Sequence, residues 1–503
     1  MVSRKQIKTY LQKEPKFDDI MCSLRATGSQ PKGIIGETKK VVAIARRFNE
    51  EFTSSYAYEL DRKMHQDPDH LAWDVVKKAN EWGFYTMFMP KMFGGKGYSI
   101  SAMGPFREEI GSGCIAIANL IGVHYLGFVG LASSWNMRLI DMICREVVNG
   151  EKTGNPCLMS FAMTEPDAGT DSQNVEFMDT GSLACHAKKV PGGYVVNGTK
   201  IFISCGHLST WHILFAYTDL QKASENMVIL AVKTGTKGFS FGKKEKKMGQ
   251  KASIASELVF KDCFVPDDLV LLDRSQIEGF SRSPRDITEL ILANIWAASR
   301  VGVASFGTGV ARGAFEQALE FASKTEVDGK LLVNHEWCQC MLAEMYRNVA
   351  VGRMAYNEGN YANGMDGAFK LLNLKPIYYL SKYTPVSVFD RIMKPLCGLS
   401  FTTWISRKIA FDFMGDAEID RTDGWGSLAK FTATDMGLKN SRMAMEIMGE
   451  SGVRHEQKAE KILRDSKLLQ IYEGTNQINM VNVFKRLVAR ACPGSRCFSE
   501  DNI

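Results

Sequence analysis

Between Ser160 and about Val270 this 503-residue chain changes its hydrophobic period. On either side, apolar residues recur at helical spacing, as in Lys39–Phe48 (KKVVAIARRF) and Leu71–Asn80 (LAWDVVKKAN). Inside it, short β-rich runs follow one another: Gly193–Gly198 (GYVVNG), Lys200–Ser204 (KIFIS), Trp211–Tyr217, Met227–Val232 and Glu257–Phe260. Asn-Gly, Gly-Gly and charged stretches separate them. A chain patterned helix, strand, helix at this length reads as an α+β protein of about three domains. They are an N-terminal helical domain over residues 1–155 with an extra N-terminal segment, a middle antiparallel β-domain over 156–275, and a C-terminal helical bundle over 276–503. Small residues dominate Ala293–Ala311 (ANIWAASRVGVASFGTGVA), which predicts close helix–helix approach. A segment at about 371–426, containing Pro376, Pro385 and Pro395, interrupts the bundle before helix resumes at Phe431. The last dozen residues read as a frayed tail.

Composition excludes several classes. The net charge of +6 is spread along the chain, and runs such as Lys243-Lys244 are balanced by nearby acids, which argues against nucleic acid as a partner. No GxGxxG follows a strand, so a Rossmann nucleotide site is not expected. The twelve cysteines show one close pair, Cys338 and Cys340, with no matching second pair. They predict neither a disulfide framework nor a metal site, but reduced thiols in a cytoplasmic enzyme. The first residues lack an apolar signal core, and no uninterrupted apolar run reaches the roughly 18 residues of a spanning helix. Membrane contact is not favoured.

Two motifs carry chemistry. In Lys461–Ile478 (KILRDSKLLQIYEGTNQI) a helix-period run breaks at Gly474, leaving Glu473 among apolar neighbours. A carboxylate so placed has its charged form disfavoured and can accept a proton near neutral pH. Upstream, Ser160–Asp171 (SFAMTEPDAGTD) is a strand-like run followed by an open loop with hydroxyls at Thr164 and Thr170, suited to a planar, electron-rich ligand. In Lys200–Gly206 the aromatic Phe202 and hydroxyl Ser204 stand two apart, on one face of a strand. His124, alone in the apolar stretch Leu120–Trp135, reads either as a satisfied core residue or as a pocket residue.

Together these stretches, with KKMGQKAS (246–253) and GKLLVNH (329–335), resemble the acyl-CoA dehydrogenase family of flavoproteins over roughly Trp73 to Arg490. The resemblance implies FAD between the β-domain and the C-terminal bundle. Phe161, Ala162, Met163 and Thr164 would line the flavin, with Phe202, Ile203 and Ser204 against it. Gly169 and Thr170 would lie where cofactor meets CoA, Arg300 and Gly474 near the substrate, and Thr475 and Gln477 at the adenylate half. Glu473 would be the base that takes the α-proton of an acyl-CoA while the β-hydrogen leaves as hydride. Its backbone N–H would help hold the thioester oxygen, and no metal is involved. The base position that some relatives use instead is Ser299 here. Electrons would pass to an electron-transfer flavoprotein, from a homodimer or homotetramer.

Four positions depart from the family pattern. Thr325–Gly329 (TEVDG) replaces Arg-x-x-Phe-Gly, Glu336 replaces Gln, Gly449-Glu450 replaces Gly-Gly, and Lys251 replaces Arg. Loss of an arginine and gain of acids weakens a pyrophosphate site by electrostatics alone, which predicts a compensating base or a changed subunit arrangement. An oxidase, an enoyl-CoA reductase and a non-catalytic scaffold are the alternative readings. The segment at 371–426 reads as helices covering the bundle or building an interface, or else as an acyl-pocket lid or a membrane-contacting hairpin.

Overall fold

The computed structural model describes residues 21–368, 370–492 and 494–498. The N-terminal domain contains α1 (Cys22–Ser29), α2 (Gly33–Phe48), α3 (Ser54–Gln66), α4 (Trp73–Glu81), α5 (Met103–Gly113), α6 (Ile115–Ser133) and α7 (Met137–Thr153). A helix apolar on every side must be covered on every side. α6 is such a helix, and 17 of its 19 residues are buried. By length and composition α6 and the first bundle helix are both long enough to cross a membrane, contrary to the sequence expectation, but most of each is packed inside the protein.

The middle domain is one eight-stranded sheet. Its strands are β1 (Met159–Ala162), β2 (His186–Val190), β3 (Gly193–Ser204), β4 (Trp211–Tyr217), β5 (Met227–Lys233), β6 (Phe239–Lys244), β7 (Ala255–Pro266) and β8 (Val270–Leu272). Their order is β6-β7-β3-β2-β4-β5-β8, with β1 beside β4. Pairing is antiparallel except where β4 meets β1 and β2. Strand β4 is buried at all seven positions, which matches a sequence apolar everywhere but at His212. The alternation read for Phe202 and Ser204 is broken by a β-bulge between Lys200 and Ile203, where Phe202 takes φ +57°.

In the C-terminal domain α8 (Pro284–Ala322), α9 (Glu336–Asp366) and α13 (Asp416–Met448) pack on one another, with α14 (Ala459–Leu468) and α15 (Asn476–Val483) along α13. A Cβ on Gly307 would stand 2.8 Å from the Ala433 backbone, and one on Gly437 would stand 2.8 Å from the Gly307 carbonyl. Only glycine lets α8 and α13 approach so closely. Helix α13 begins fifteen residues before the expected Phe431, because Gly415 donates its N–H to Glu418 and starts the first turn there.

The inserted segment forms α10 (Lys375–Tyr383), α11 (Val386–Cys397) and α12 (Ser400–Asp412). Instead of covering the bundle, it lies on the N-terminal domain and the β8 edge of the middle domain. Tyr378 donates to Glu37 at 2.6 Å, Arg145 pairs with Asp390 at 2.7 Å, and buried Arg407 donates to the carbonyls of Ser134 (3.0 Å) and Leu271 (2.7 Å). Its other face leaves Leu380, Ile392, Phe401, Trp404 and Phe413 exposed. The expected frayed tail is partly docked: Phe498 is buried, 5.9 Å from Phe177, while residues 499–503 and the first 20, with the signal reading made there, lie outside the described residues.

Arg407→Met removes the donor to the buried Ser134 carbonyl, a loss of roughly 1–3 kcal/mol. Chemical denaturation should show that loss, and limited proteolysis should show faster cleavage within 375–412.

Candidate active site

Most of the expected site residues line one cavity of about 600 Å³ between the sheet, α5, α6 and the bundle. Three stretches far apart in sequence face it from two walls. From the β-domain come Phe161, Met163, Thr164, Gly169, Thr170, Phe202, Ile203 and Ser204; from the bundle come Glu473, Gly474 and Thr475.

The β-side wall is held by a buried ion pair. Lys200 Nζ donates to Glu165 at 2.7 Å and to the Met163 carbonyl at 2.8 Å, while Glu165 accepts from the N–H groups of Ala184 and Cys185. The carbonyl of Thr164 takes the Ile201 N–H at 2.9 Å, tying the loop to the bulge. Phe161 packs edge-on to Trp296, with ring centroids 5.8 Å apart. Phe202 is 56 % exposed, an aromatic face left uncovered beside two hydroxyl groups. A Cβ at Gly169 would meet nothing within 4 Å, so the loop leaves room for a ligand there.

On the opposite wall the helix ends at Leu468 and the chain turns through Glu473 (φ +59°) and Gly474 (φ +78°). A left-handed non-glycine residue is strained and must be over-determined by its surroundings. Here Lys430 Nζ donates to the Gly474 carbonyl at 2.8 Å, Arg300 Nε donates to the Glu473 carbonyl at 3.4 Å, and Asn479 donates to both. Thr475 caps α15 by accepting the Ile478 N–H. The turn aims Glu473 into the cavity, where its Oε2 is buried without a hydrogen-bond partner among the described residues. Burial pushes its pKa above the ordinary carboxylate range. The Ser299 hydroxyl and the charges of Arg300, Lys430 and Arg107 pull the other way without overcoming it. Burial likewise brings Lys430 down to about 7.

Three expected site residues stand elsewhere. Arg300 is 1 % exposed and does not line the cavity. Its guanidinium pairs with Asp423 at 2.6 Å and reaches Ser427, because position 300 projects from α8 away from the face carrying Ala298, Ser299 and Gly302. The expected place beside the substrate is therefore not where its side chain lies: it is paired inside the bundle. Ala162 points into the β-domain core, since it follows Phe161 on a strand, and Gln477 is exposed on the outside of α15. His124 is a core residue, bonded to the Tyr85 carbonyl and the Met159 N–H. None of Lys251, Thr325, Asp328, Glu336 and Glu450 lines the cavity; Asp328 and Gly329 form the tip of an exposed two-stranded hairpin.

The cavity also contains residues that pattern reading passes over: Arg107 on α5, Asn119 on α6, Lys247, Trp296 and Asn360. Single residues of this kind, scattered over four helices and a turn, carry no local signal. Among the described residues one cluster has metal-ligand types close together, Asp61, His455 and Glu460, and Arg464 occupies it with contacts of 2.7 Å to Asp61 and 2.6 Å to Glu460.

The cavity thus sets a buried carboxylate oxygen of Glu473 on one wall and the exposed aromatic ring of Phe202 on the other. Family models place the chain: the acyl-CoA dehydrogenase N-terminal domain matches residues 36–133, the middle domain 160–263, and the C-terminal domain 290–365 and 410–488. The protein belongs to the acyl-CoA dehydrogenase family, whose members are FAD-dependent oxidoreductases. The C-terminal match is interrupted at the inserted helices. A cyclohex-1-ene-1-carbonyl-CoA dehydrogenase of Syntrophus aciditrophicus is 28 % identical over 88 % of this chain and 87 % of its own. An acryloyl-CoA reductase (NADH) of Anaerotignum propionicum is 26 % identical over 90 % and 95 %. The butyryl-CoA dehydrogenase structure from Megasphaera elsdenii superposes with TM-score 0.67 at 22 % identity, covering 90 % and 98 %.

The Ser299 hydroxyl favours the charged form of Glu473, so Ser299→Ala should raise the carboxyl's pKa further. An infrared titration, with Glu473→Gln subtracted to isolate this group, would show the protonated band persisting to higher pH in the variant.

Proposed function

We propose that the chain holds FAD against Phe161, Met163, Thr164, Phe202, Ile203 and Ser204 and oxidises an acyl-CoA thioester to the enoyl-CoA. The observation that carries this reading is the unpartnered, buried Oε2 of Glu473 facing the cavity. The fit to FAD rests on the uncovered Phe202 face, the Thr164 and Ser204 hydroxyls beside it, and the room at Gly169. When bound, FAD would supply acceptance of the β-hydrogen as hydride. Glu473 takes the α-proton, and the N–H of the same turn donates to the thioester oxygen as negative charge develops there. Exclusion of water by the surrounding side chains strengthens both interactions.

Electrons then pass to an electron-transfer flavoprotein. One relative is named as a reductase, and the same residues can run the step in reverse. Anaerobic mixing with acyl-CoA, and separately with enoyl-CoA plus NADH, decides the direction. The twelve unpaired cysteines support a reducing cytoplasmic setting.

In Glu473→Gln, flavin reduction by acyl-CoA should slow by about 10²–10⁴-fold, the usual worth of a positioned base. Because the base must start deprotonated and its pKa is raised, the wild-type rate should climb with pH through a point above the normal Glu range. A rate with no acid limb, or one unchanged in the variant, would remove Glu473 from this role.

We also propose that the protein works as a homodimer or homotetramer. The exposed face of α10–α12 supports this, being more apolar than a lone soluble chain ordinarily shows. Light scattering should give a multiple of the 56.1 kDa chain mass, and Phe401→Glu with Trp404→Glu should lower it.

A further inference from the structure

The buried arginines among the described residues have partners: Arg300 has Asp423, Arg407 has two carbonyls, and Arg486 has Asp423, Asp420 and Glu289. Arg107, in the α5 wall of the Glu473 cavity, is different. Its Nη2 makes one long bond to the Gly122 carbonyl at 3.4 Å, and its guanidinium lies 5.6 Å from the Phe306 ring centroid. Its Nε–H is buried without an acceptor, and no carboxylate among the described residues pairs with it. The bundle makes space for this group. A Cβ on Gly302 would come within 2.1 Å of an Arg107 nitrogen, so a glycine in α8 is what admits it.

A second unsatisfied donor is nearby. Gly104, one helical turn before Arg107, faces Asn360, whose Nδ2 would lie 2.5 Å from a Cβ there and also has no acceptor. Both Arg107 and Asn360 line the cavity. A buried guanidinium N–H with no acceptor is costly, as the Nε–H of half-buried Arg107 is, and the planar fork matches a carboxylate. Glu473 compensates the charge only through space, and it stops doing so once it has taken a proton.

We propose that Arg107, assisted by Asn360, receives a carboxylate at the far end of the acyl chain, which makes the substrate a CoA thioester of a dicarboxylic acid. This rests on the function proposed above and names the substrate class of that site. The carboxylate brings the acceptor that both donors lack. It also keeps the pocket neutralised after proton transfer to Glu473.

The test is anaerobic flavin reduction of the purified holoenzyme by two matched series: glutaryl-, adipyl- and pimelyl-CoA against valeryl-, hexanoyl- and heptanoyl-CoA. In the wild type the best dicarboxylyl thioester should exceed its partner in kcat/KM by about 10- to 100-fold, the worth of a charge-assisted hydrogen bond. Arg107→Met should erase that preference by raising KM for the dicarboxylyl series alone, and Arg107→Lys should restore part of it. Asn360→Leu gives a weaker effect of the same sign and serves if the arginine variants do not fold. Equal or faster reduction by the methyl-ended series in the wild type overturns the proposal. So does an equal loss for both series in Arg107→Met. If no thioester of either series bleaches the flavin, the dehydrogenase reading itself falls, and this inference with it.

Discussion

Two buried basic side chains holding two backbone carbonyls decide where the Glu473 carboxylate points. Lys430 takes the carbonyl of Gly474 and Arg300 that of Glu473, and between them they clamp a turn in which two consecutive residues have positive φ. A left-handed glutamate stores on the order of 1–3 kcal/mol of strain. Relaxing it would swing the side chain out of the cavity. The charge of Arg300 is matched by Asp423, which also accepts from Arg486, so the clamp extends from α8 through α13 to the end of the bundle. The carboxylate is therefore positioned by helix packing rather than by its own loop.

The facing wall depends on the same economy of buried polar groups. Lys200 and Glu165 form an ion pair inside the β-domain, and each makes further bonds to loop backbone. Replacing one partner would leave the other as an uncompensated buried charge. The walls are registered by the 246–253 turn. Gln250, itself at φ +49°, bonds to Asp465 by both its backbone N–H and its side chain, while Asn119 and the Tyr472 hydroxyl donate to its Oε1. One side chain thus joins the 246–253 turn, α6 and the turn that carries Glu473.

Much of this was legible in the chain. The switch of hydrophobic period marked the domains, and the small residues of 293–311 foretold the close contact of α8 with α13. The TEPDAGTD and YEGT stretches marked both walls because each combines a backbone break with side chains of unusual chemistry. Other features escaped. The bulge at Phe202 is a mismatch of two strands and has no local signature. The inserted helices read as covering the bundle or building an interface. Which surface they pack on, the N-terminal domain and the β8 edge, had no local signal, since Glu37, Ser134 and Leu271 stand far from Tyr378 and Arg407 in the chain. Arg300 was taken for a substrate contact because a helix arginine reads the same whether it faces a ligand or an aspartate.

By itself, then, the sequence determined the order of domains, the identity of the carboxylate and the composition of both walls, since periodicity and turn chemistry act over a few residues. The tertiary structure alone decided which charges are compensated and which face the cavity. Compensation is a pairing between groups far apart in the chain: Arg300 with Asp423 and Lys430 with Gly474 find partners, and Arg107 is left open toward the space beside Glu473.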